Sequence, residues 1–293
     1  MTPQTTPVDA RQIWTFRGLA AAAIPTLNAL ITHTWRGVER LPRDTGFIAV
    51  PNHVTEIDPL IVGHFLYSNR VLPHFLAKDS LFRVPGLAPV LRWTGQVPVT
   101  RGATTASGSL AASRKVIDEG GAIIVYPEGT LTRDPDLWPM RGRTGAARLA
   151  LQTGAPVVPI VHWGAQDLFP RYAKRLHPFP RKRVTVVAGV PVDLSEFRGR
   201  PLDRTVLAAA TEKIMAAITT ELARLRGEEP PASRWDPDHH GQQATGRHFD
   251  GGSRAGTAVP TDGMTDAPTN DAASESTAAP ADGDTAGGRG DER

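Results

Sequence analysis

Short apolar runs that alternate with longer amphipathic segments are the feature that most limits what this chain can fold into. The runs 46–50, 122–125 and 156–161 are too short for helices, and Gly or Pro bounds each of them. Segments of helical length, such as 106–119 and 205–226, lie between or after them. Short strands that alternate with helices are typical of α/β domains. We therefore predict a single α/β domain with a central mixed, largely parallel sheet flanked by helices.

The remaining elements follow from the same patterns of periodicity and turn residues. The predicted strands are 46–50, 71–77, 96–100, 122–125, 156–161 and 183–188. The predicted helices are 59–68, 85–93, 106–119, 143–152 and 205–226, preceded by an N-terminal amphipathic helix.

The last part of the chain differs in composition. From residue 228 onward it is rich in Ala, Gly, Asp, Thr, Pro and Ser and has hardly any large aliphatic residue. Such a segment buries too little apolar surface to offset the entropy lost on ordering. We predict an N-terminal helical segment at 1–34, a folded domain at 35–227 and a disordered, acidic, low-complexity tail at 228–293.

The formal net charge of +3 conceals a strong asymmetry. The tail has 13 Asp and Glu against 5 Lys and Arg, so residues 1–227 carry a net charge of +11. A basic body suits anionic lipid surfaces, phosphorylated substrates or nucleic acid. No nucleic-acid-binding motif is recognisable, so nucleic acid is not an expected partner. The absence of cysteine excludes disulfides, thiolate metal sites and a cysteine nucleophile.

Residues 1–34 are expected to associate with the membrane. The most apolar part, 19–31, is shorter than the roughly 20 residues that a membrane-spanning helix needs. Apolar side chains with flanking arginines are typical of a helix that lies in the bilayer interface. Here they are Trp14, Phe16, Leu19, Leu27 and Trp35, with Arg11, Arg17, Arg36 and Arg40. An ordinary helix packed on the domain is the alternative. No cleavable signal peptide is evident, because the chain does not start with a basic and then an apolar segment.

The sequence Pro-Asn-His-Val-Thr-Glu-Ile-Asp-Pro, residues 51–59, carries the most informative pattern. His53 lies just past a predicted buried strand, at the sheet edge where open α/β folds bind ligands. Asp58 followed by Pro59 suits a helix start, with Asp at the N-cap and Pro at the first helical position. A turn between them can bring the carboxylate to one imidazole nitrogen and leave the other for a substrate. The two would then act as a general base and its orienting partner.

The same pattern has a structural alternative, in which Asp58 only caps the helix and His53 is a hydrogen-bonded turn residue. A metal site is not expected, because no third ligand stands at a helical or hairpin spacing. A serine nucleophile is unsupported, since the chain has no Gly-x-Ser-x-Gly sequence. A base without an enzymic nucleophile favours direct attack by a substrate hydroxyl.

Further polar residues follow other predicted strands. Glu128 lies in the loop Tyr-Pro-Glu-Gly-Thr directly after strand 122–125, where it could hold a hydroxyl of the acceptor. Lys78 and Arg101 follow two other strands, and cations at successive strand ends are what a phosphate monoester site needs. Each has a simpler alternative as a solvated loop or surface charge.

Four sequence blocks stand in order along the chain. They are Asn-His-Val-Thr-Glu-Ile-Asp (52–58), Gly-Gln-Val-Pro-Val-Thr-Arg (95–101), Tyr-Pro-Glu-Gly-Thr (126–130) and Ala-Pro-Val-Val-Pro-Ile (155–160). Together they resemble the glycerolipid acyltransferase superfamily, which includes the lysophosphatidic acid acyltransferases. The likeness runs from about Trp35 to Val192. Four blocks in order are far more specific than any one of them.

The resemblance implies an enzyme that moves a fatty acyl group from acyl-CoA or acyl-carrier protein to 1-acyl-glycerol-3-phosphate and forms phosphatidic acid. It implies His53 as the general base and Asp58 as its partner. No metal or cofactor beyond the acyl thioester is required. The expected location is the cytoplasmic face of the cell membrane, peripheral or monotopic, on an anionic lipid surface. The implied acceptor and phosphate site consists of Lys78, Arg101, Glu128, Gly129 and Thr130.

The chain departs from the family pattern at two positions. Thr55 stands where family members commonly carry Ser, which keeps the hydroxyl. Leu131 stands where they commonly carry Arg. Arg133, or Arg141 and Arg143, could supply that charge, with Arg133 as a possible additional phosphate contact. The second departure leaves glycerol 3-phosphate or another lysophospholipid or glycolipid open as the acceptor. A non-catalytic membrane-binding protein on the same fold is the alternative from a different class, and retention of both His53 and Asp58 argues against it.

Overall fold

A seven-stranded mixed sheet with helices on both faces forms the centre of the molecule. The computed structural model describes residues 10–99 and 106–242. The strands are β1 (Ile31–Arg36), β2 (Phe47–Pro51), β3 (Pro73–Lys78), β4 (Val97–Val99), β5 (Ala122–Ile124), β6 (Val157–Trp163) and β7 (Lys182–Ala188). The helices are α1 (Ala10–Leu30), α2 (Asp58–Ser68), α3 (Leu87–Trp93), α4 (Ala106–Asp118), α5 (Gly145–Thr153), α6 (Ala165–Leu168) and α7 (Arg204–Arg226). Short 3-10 helices lie at Val38–Arg40, Asp79–Arg83, Ser195–Phe197 and Pro237–His240.

The predicted mixed, largely parallel sheet is confirmed. The strand order is β1-β7-β6-β2-β5-β3-β4. From β6 to β4 all neighbours are parallel, whereas β7 runs antiparallel to β6 and β1 lies parallel to β7. Parallel strands place their carboxyl ends at the same edge, so the loops that follow β2, β3 and β5 converge there.

Strand β2 shows why helices cover both faces of the sheet. All of its residues are buried. Ile48 and Val50 belong to a hydrophobic cluster with residues of α4, α5 and α7. Phe47 and Ala49 belong to a second cluster with residues of α1, α2 and α6. Because side chains alternate along a strand, a strand of apolar residues needs cover on both sides.

Each strand and helix predicted within the body is present, with ends that shift by no more than two residues. Local chemistry sets these ends. At the start of α7, Asp203 Oδ1 accepts the backbone N–H of Val206 at 2.8 Å, which satisfies a donor that the helix leaves unpaired. Gly227 ends the same helix in a left-handed conformation with φ 68°, as is usual for a helix C-terminus.

The N-terminal helix ends before the boundary predicted at residue 34. Helix α1 ends at Leu30, and β1 begins at Ile31 inside the segment assigned to 1–34. Strand β1 buries only one face and follows an apolar helix without a breaker, so hydrophobicity alone does not reveal it. Phe16 of α1 is buried, whereas Trp14 is 68% exposed. Within the described residues, no helix combines the length and the apolar character needed to cross a bilayer.

The packed chain also extends beyond the boundary predicted at 227. The Arg141 guanidinium binds Asp236 at 2.8 Å and Asp238 at 2.6 Å, and the Arg141 N–H donates to the Trp235 carbonyl at 2.9 Å. Composition does not predict these contacts, because they are ion pairs and hydrogen bonds that do not require aliphatic residues. The ordered part therefore reaches at least Gln242, and the rest of the predicted tail, 243–293, lies outside the described residues.

Candidate active site

Several predicted site residues come together at the carboxyl edge of the parallel strands. His53 is the second residue after β2, and Lys78 is the last residue of β3. Glu128 lies in the loop after β5, the strand between β2 and β3 in the sheet. The position of these strands in the sheet, which the sequence does not show, makes the three loops neighbours. Arg101 lies outside the described residues.

His53 and Asp58 are hydrogen-bonded, with 2.9 Å between Nδ1 and Oδ2. The Asp58 side chain is fully buried, and the His53 side chain is 16% exposed. The carboxylate therefore holds the imidazole from within the protein and fixes the proton on Nδ1. Nε2 is left as the ring nitrogen that can accept a proton from a bound molecule.

The N-cap role predicted for Asp58 is wrong. Asp58 is the first residue of α2, and Ile57 occupies the N-cap. Its Oδ2 accepts the N–H groups of Val54 at 2.7 Å and Thr55 at 2.9 Å, which precede the helix. A buried carboxylate is stabilised by donors within reach, and these belong to the His53 loop. The aspartate therefore closes this loop around the imidazole.

Tyr126 supports the imidazole from one face, which the sequence patterns do not reveal. The two ring centroids lie 4.0 Å apart with 28° between the planes, so the rings are stacked. Burial raises the pKa of the Tyr126 hydroxyl well above its usual value of 10.0, and the negative charge of Asp58 adds to the effect. The phenol is therefore neutral and restricts the orientation of His53.

Glu128 is buried beneath the His53 loop. Its Oε1 accepts the backbone N–H of His53 at 3.2 Å, and Oε2 accepts that of Met140 at 3.0 Å. Burial raises the pKa of Glu128 to about 8, against the effect of these two N–H groups and the Thr132 hydroxyl. Only 2% of the residue is exposed, so the alternative of a solvated loop charge is wrong. The geometry gives Glu128 a role in holding the loop, and contact with an acceptor hydroxyl stays a prediction.

A pocket of about 410 Å³ opens beside His53. Its lining is mainly apolar, and its charged side chains are the exposed cations Lys78, Arg143 and Arg148. No carboxylate is among the described residues that line it. An apolar cavity with cations in its lining and an imidazole beside it suits an amphiphilic anion. The other lining residues are Leu76, Val99, Ser109, Leu110, Ser113, Val125, Tyr126, Pro127, Gly129, Gly145, Ala146, Leu149 and Gln152.

Of the three arginines that could supply charge beside the Glu-Gly-Thr block, Arg143 lines the pocket, whereas Arg133 and Arg141 do not. Arg133 is only 1% exposed and does not line the pocket. Leu131, at the position where the family commonly has Arg, is buried too. Gly129 has φ 71°, and a Cβ there would lie 2.8 Å from Arg143 Cδ. The glycine thus lets the arginine stem cross the loop.

Neither Thr130 nor Thr55 lines the pocket. Thr130 is partly exposed but is not among the pocket residues, so its predicted contact with the acceptor stays a prediction. The Thr55 hydroxyl donates to the Phe169 carbonyl and keeps the interaction that a serine hydroxyl could make. Within residues 10–99 and 106–242, no group of three or more His, Asp and Glu could hold a metal ion.

The family model described as Acyltransferase matches residues 33–163, which include the His53 loop, β5 and β6. Residues 33–163 are thus similar to the acyltransferase family. This agrees with the resemblance found in the sequence blocks. The matched segment contains every described site residue discussed above except Phe169.

Relatives of known name match this domain over part of their length. A 1-acyl-sn-glycerol-3-phosphate acyltransferase of Borreliella burgdorferi is 32% identical over 134 residues, 45% of this chain and 52% of that protein. The chloroplastic 1-acyl-sn-glycerol-3-phosphate acyltransferase BAT2 of Brassica napus is 30% identical over 137 residues, 46% of this chain and 38% of that protein. The chain thus spans about half the length or less of these relatives.

The fold has a counterpart among solved structures. The crystal structure of the 1-acyl-sn-glycerophosphate (LPA) acyltransferase PlsC from Thermotoga maritima matches with a TM-score of 0.57 and 22% identity. The match covers 75% of this chain and 83% of that one. The chain therefore shares its α/β fold with that structure.

Proposed function

We propose that this protein transfers a fatty acyl group from an acyl thioester to the free hydroxyl of 1-acyl-glycerol-3-phosphate and forms phosphatidic acid. The observation that carries the proposal is the His53–Asp58 pair at an apolar pocket whose charged lining residues are cations. The names of the relatives from Borreliella burgdorferi and Brassica napus support the choice of acceptor. The donor is acyl-CoA or acyl-carrier protein.

In the proposed mechanism His53 acts first as a base and then as an acid. The acceptor hydroxyl gives its proton to Nε2 as its oxygen bonds to the thioester carbonyl carbon. Asp58 stabilises the imidazolium through Nδ1–H, over the 2.9 Å contact. The tetrahedral intermediate then breaks its C–S bond, and Nε2 returns the proton to the departing sulfur. The products are the new ester and a free thiol, with no acyl-enzyme intermediate.

The acceptor phosphate is proposed to lie between Lys78 and Arg143. Both cations line the pocket on different elements, one at the end of β3 and one before α5. Arg143 approaches Gly129, in the loop that also holds Tyr126 against His53. Charge-assisted hydrogen bonds from two sides suit a phosphate monoester. The existing acyl chain of the acceptor would then lie along the apolar lining.

The protein is further proposed to act at an anionic membrane surface, on the cytoplasmic face. Helix α1 exposes 68% of Trp14 and 46% of Leu19, and the Arg17 guanidinium lies 5.2 Å from the Trp14 ring centre. An exposed apolar side chain beside a cation is characteristic of peripheral membrane helices. Trp93 of α3, a helix that contacts α1, is another exposed apolar side chain, with 50% of its surface accessible.

An acceptor panel tests the proposal. Purified protein, one labelled acyl-CoA and liposomes would be combined with 1-acyl-glycerol-3-phosphate, glycerol 3-phosphate or lysophosphatidylcholine. We expect label chiefly in phosphatidic acid and a loss of about 10²- to 10⁴-fold in His53→Ala. His239→Ala, at an exposed histidine, is the control and should be unaffected.

The other outcomes are equally definite. Preference for another acceptor would overturn the assignment of 1-acyl-glycerol-3-phosphate but keep the acyl transfer. Near wild-type transfer by His53→Ala would refute the mechanism. Liposome binding without thioester consumption would instead favour the non-catalytic membrane-binding alternative.

A further inference from the structure

A second histidine lies against the other oxygen of the Asp58 carboxylate. His162, on β6, is fully buried. Its Nε2 lies 3.2 Å from the Asn52 carbonyl oxygen and 3.6 Å from Asp58 Oδ1. His53 holds Oδ2 at 2.9 Å. Two imidazoles therefore flank one buried carboxylate.

Asn52 fixes His162 to the start of the His53 loop. The regular pairing of β2 with β6 ends at Pro51 and Ile160. Beyond it, the Asn52 side-chain Nδ2 donates to the His162 carbonyl at 3.1 Å, and the His162 N–H donates to Asn52 Oδ1 at 2.9 Å. These bonds continue the ladder up to the residue before His53 and tie His162 to the start of the loop.

The surroundings of His162 place its proton on Nε2. The Asn52 carbonyl and Asp58 Oδ1, the two polar atoms near Nε2, are both acceptors, so this nitrogen must be the donor. Nδ1 has no hydrogen-bond partner within the described residues, which is consistent with an unprotonated ring nitrogen. Burial lowers the pKa of His162 from 6.5, Asp58 acts to raise it, and His53 acts to lower it further. These are the two titratable groups that act on the ring, which is neutral at pH 7.

The two Asp58 oxygens differ in their donors. Oδ2 receives three, from His53 Nδ1 and the N–H groups of Val54 and Thr55. Oδ1 is buried and, in the described part of the chain, has no donor within hydrogen-bond distance. The His162 N–H at 3.6 Å is too far for a full hydrogen bond. Its dipole nevertheless stabilises a negative charge that has no contact with water.

We propose that His162 is a positioning residue for the pair: its Nε2–H, which donates to the Asn52 carbonyl and faces Asp58 Oδ1, keeps the carboxylate turned toward His53. This inference rests on the proposed acyl transfer, in which Asp58 stabilises the imidazolium. His162 does not line the pocket, so it acts only through Asp58 and the His53 loop.

Two substitutions separate the donor from the bulk of the side chain. His162→Leu removes the N–H, whereas His162→Gln keeps an N–H donor at a similar distance from the backbone. The matched control is His64→Leu, which removes another buried imidazole, on α2 beside Trp35. If His162→Leu does not fold, His162→Met provides a flexible side chain without a donor.

We expect the leucine variant to lower kcat about tenfold or more with little change in KM, since no substrate contact is lost. The glutamine variant should recover most of kcat. The histidine control should keep wild-type kcat while losing thermal stability to a similar extent. The proposal is overturned if His162→Leu keeps kcat within twofold of wild type, if Gln rescues nothing, or if His64→Leu is equally inactive.

A measurement on the protein alone separates this inference from the proposed function. Nitrogen-15 NMR of labelled histidine reports which nitrogen of neutral His53 carries the proton. In wild type we expect the Nδ1–H form, held by Asp58, and in His162→Leu a mixture with the Nε2–H form. An unchanged tautomer in the leucine variant refutes the role of His162, whatever the acceptor is. A changed tautomer in a protein that does not acylate 1-acyl-glycerol-3-phosphate would refute the proposed function alone.

Discussion

Replacement of Glu128 by glutamine should change how stability depends on pH. The carboxyl group has a pKa raised from 4.5 to about 8 by burial. Between these values the folded protein keeps a proton that the unfolded chain has already released. The free energy of unfolding of wild type therefore falls as pH rises through this window. The contribution is fully present below pH 4.5 and lost at about pH 8.

The size of the effect follows from the width of the window. Each pH unit corresponds to about 1.4 kcal/mol, so Glu128 lowers the stability by about 5 kcal/mol across the whole range. Glutamine does not titrate. Its amide nitrogen, however, meets one of the backbone N–H groups that the carboxyl oxygens accept, those of His53 and Met140. That mismatch costs about 1–3 kcal/mol.

Plotted against pH, the free energies of unfolding of wild type and of Glu128→Gln should therefore cross. At about pH 5 the glutamine variant should be less stable than wild type, and at about pH 8 at least as stable. Urea unfolding followed by tryptophan fluorescence measures this, with Glu229→Gln, at an exposed glutamate, as the control that should run parallel to wild type. If the difference in free energy of unfolding between Glu128→Gln and wild type stays constant with pH, the assigned titration of Glu128 is refuted.

Three further predictions concern the pocket, the imidazole and the chain end. Arg143→Ala should raise KM for 1-acyl-glycerol-3-phosphate about tenfold or more with a smaller effect on kcat, since a charge-assisted contact is lost; an unchanged KM in steady-state kinetics would exclude the phosphate contact. Tyr126→Phe should keep kcat, and Tyr126→Ala should lower it about two- to tenfold through loss of the ring stacked on His53; equal kcat values for both variants would contradict this role. A chain ended after Gly227 should melt several degrees below one ended after Gln242, because it loses the Arg141 ion pairs and the Trp235 contact; calorimetric traces that coincide would show that these contacts add nothing.

Much of the fold follows from local patterns. Strands such as β2 and β6 are short apolar runs bounded by Gly or Pro, and α7 has a capping Asp and a terminal Gly. Strand β1 is the exception, because its pairing with β7, more than 140 residues away, gives it its structure. Side-chain periodicity carries no information about such a partner.

The site residues likewise include some that local sequence predicts and some that only tertiary contacts define. The loop sequence between His53 and Asp58 is sufficient to suggest that the two meet, because only four residues separate them and limit where the carboxylate can go. That the carboxylate closes the loop instead of capping α2 depends on which N–H groups the folded backbone presents. Sequence spacing does not determine that choice.

The arginines near the Glu-Gly-Thr block show most clearly where sequence distance and tertiary structure give different answers. By sequence distance Arg133 is the nearest arginine after the block, yet the tertiary structure buries it and brings Arg143 across Gly129. The sequence alone thus determined the fold class, the order of the elements after β1 and the pairing of His53 with Asp58, because these depend on local patterns. The stacking of Tyr126, the position of Arg143 and the place of His162 beside Asp58 were decided only by tertiary structure. Each of these requires residues from different strands to meet at one edge of the sheet, and strand order is set by packing of the whole chain.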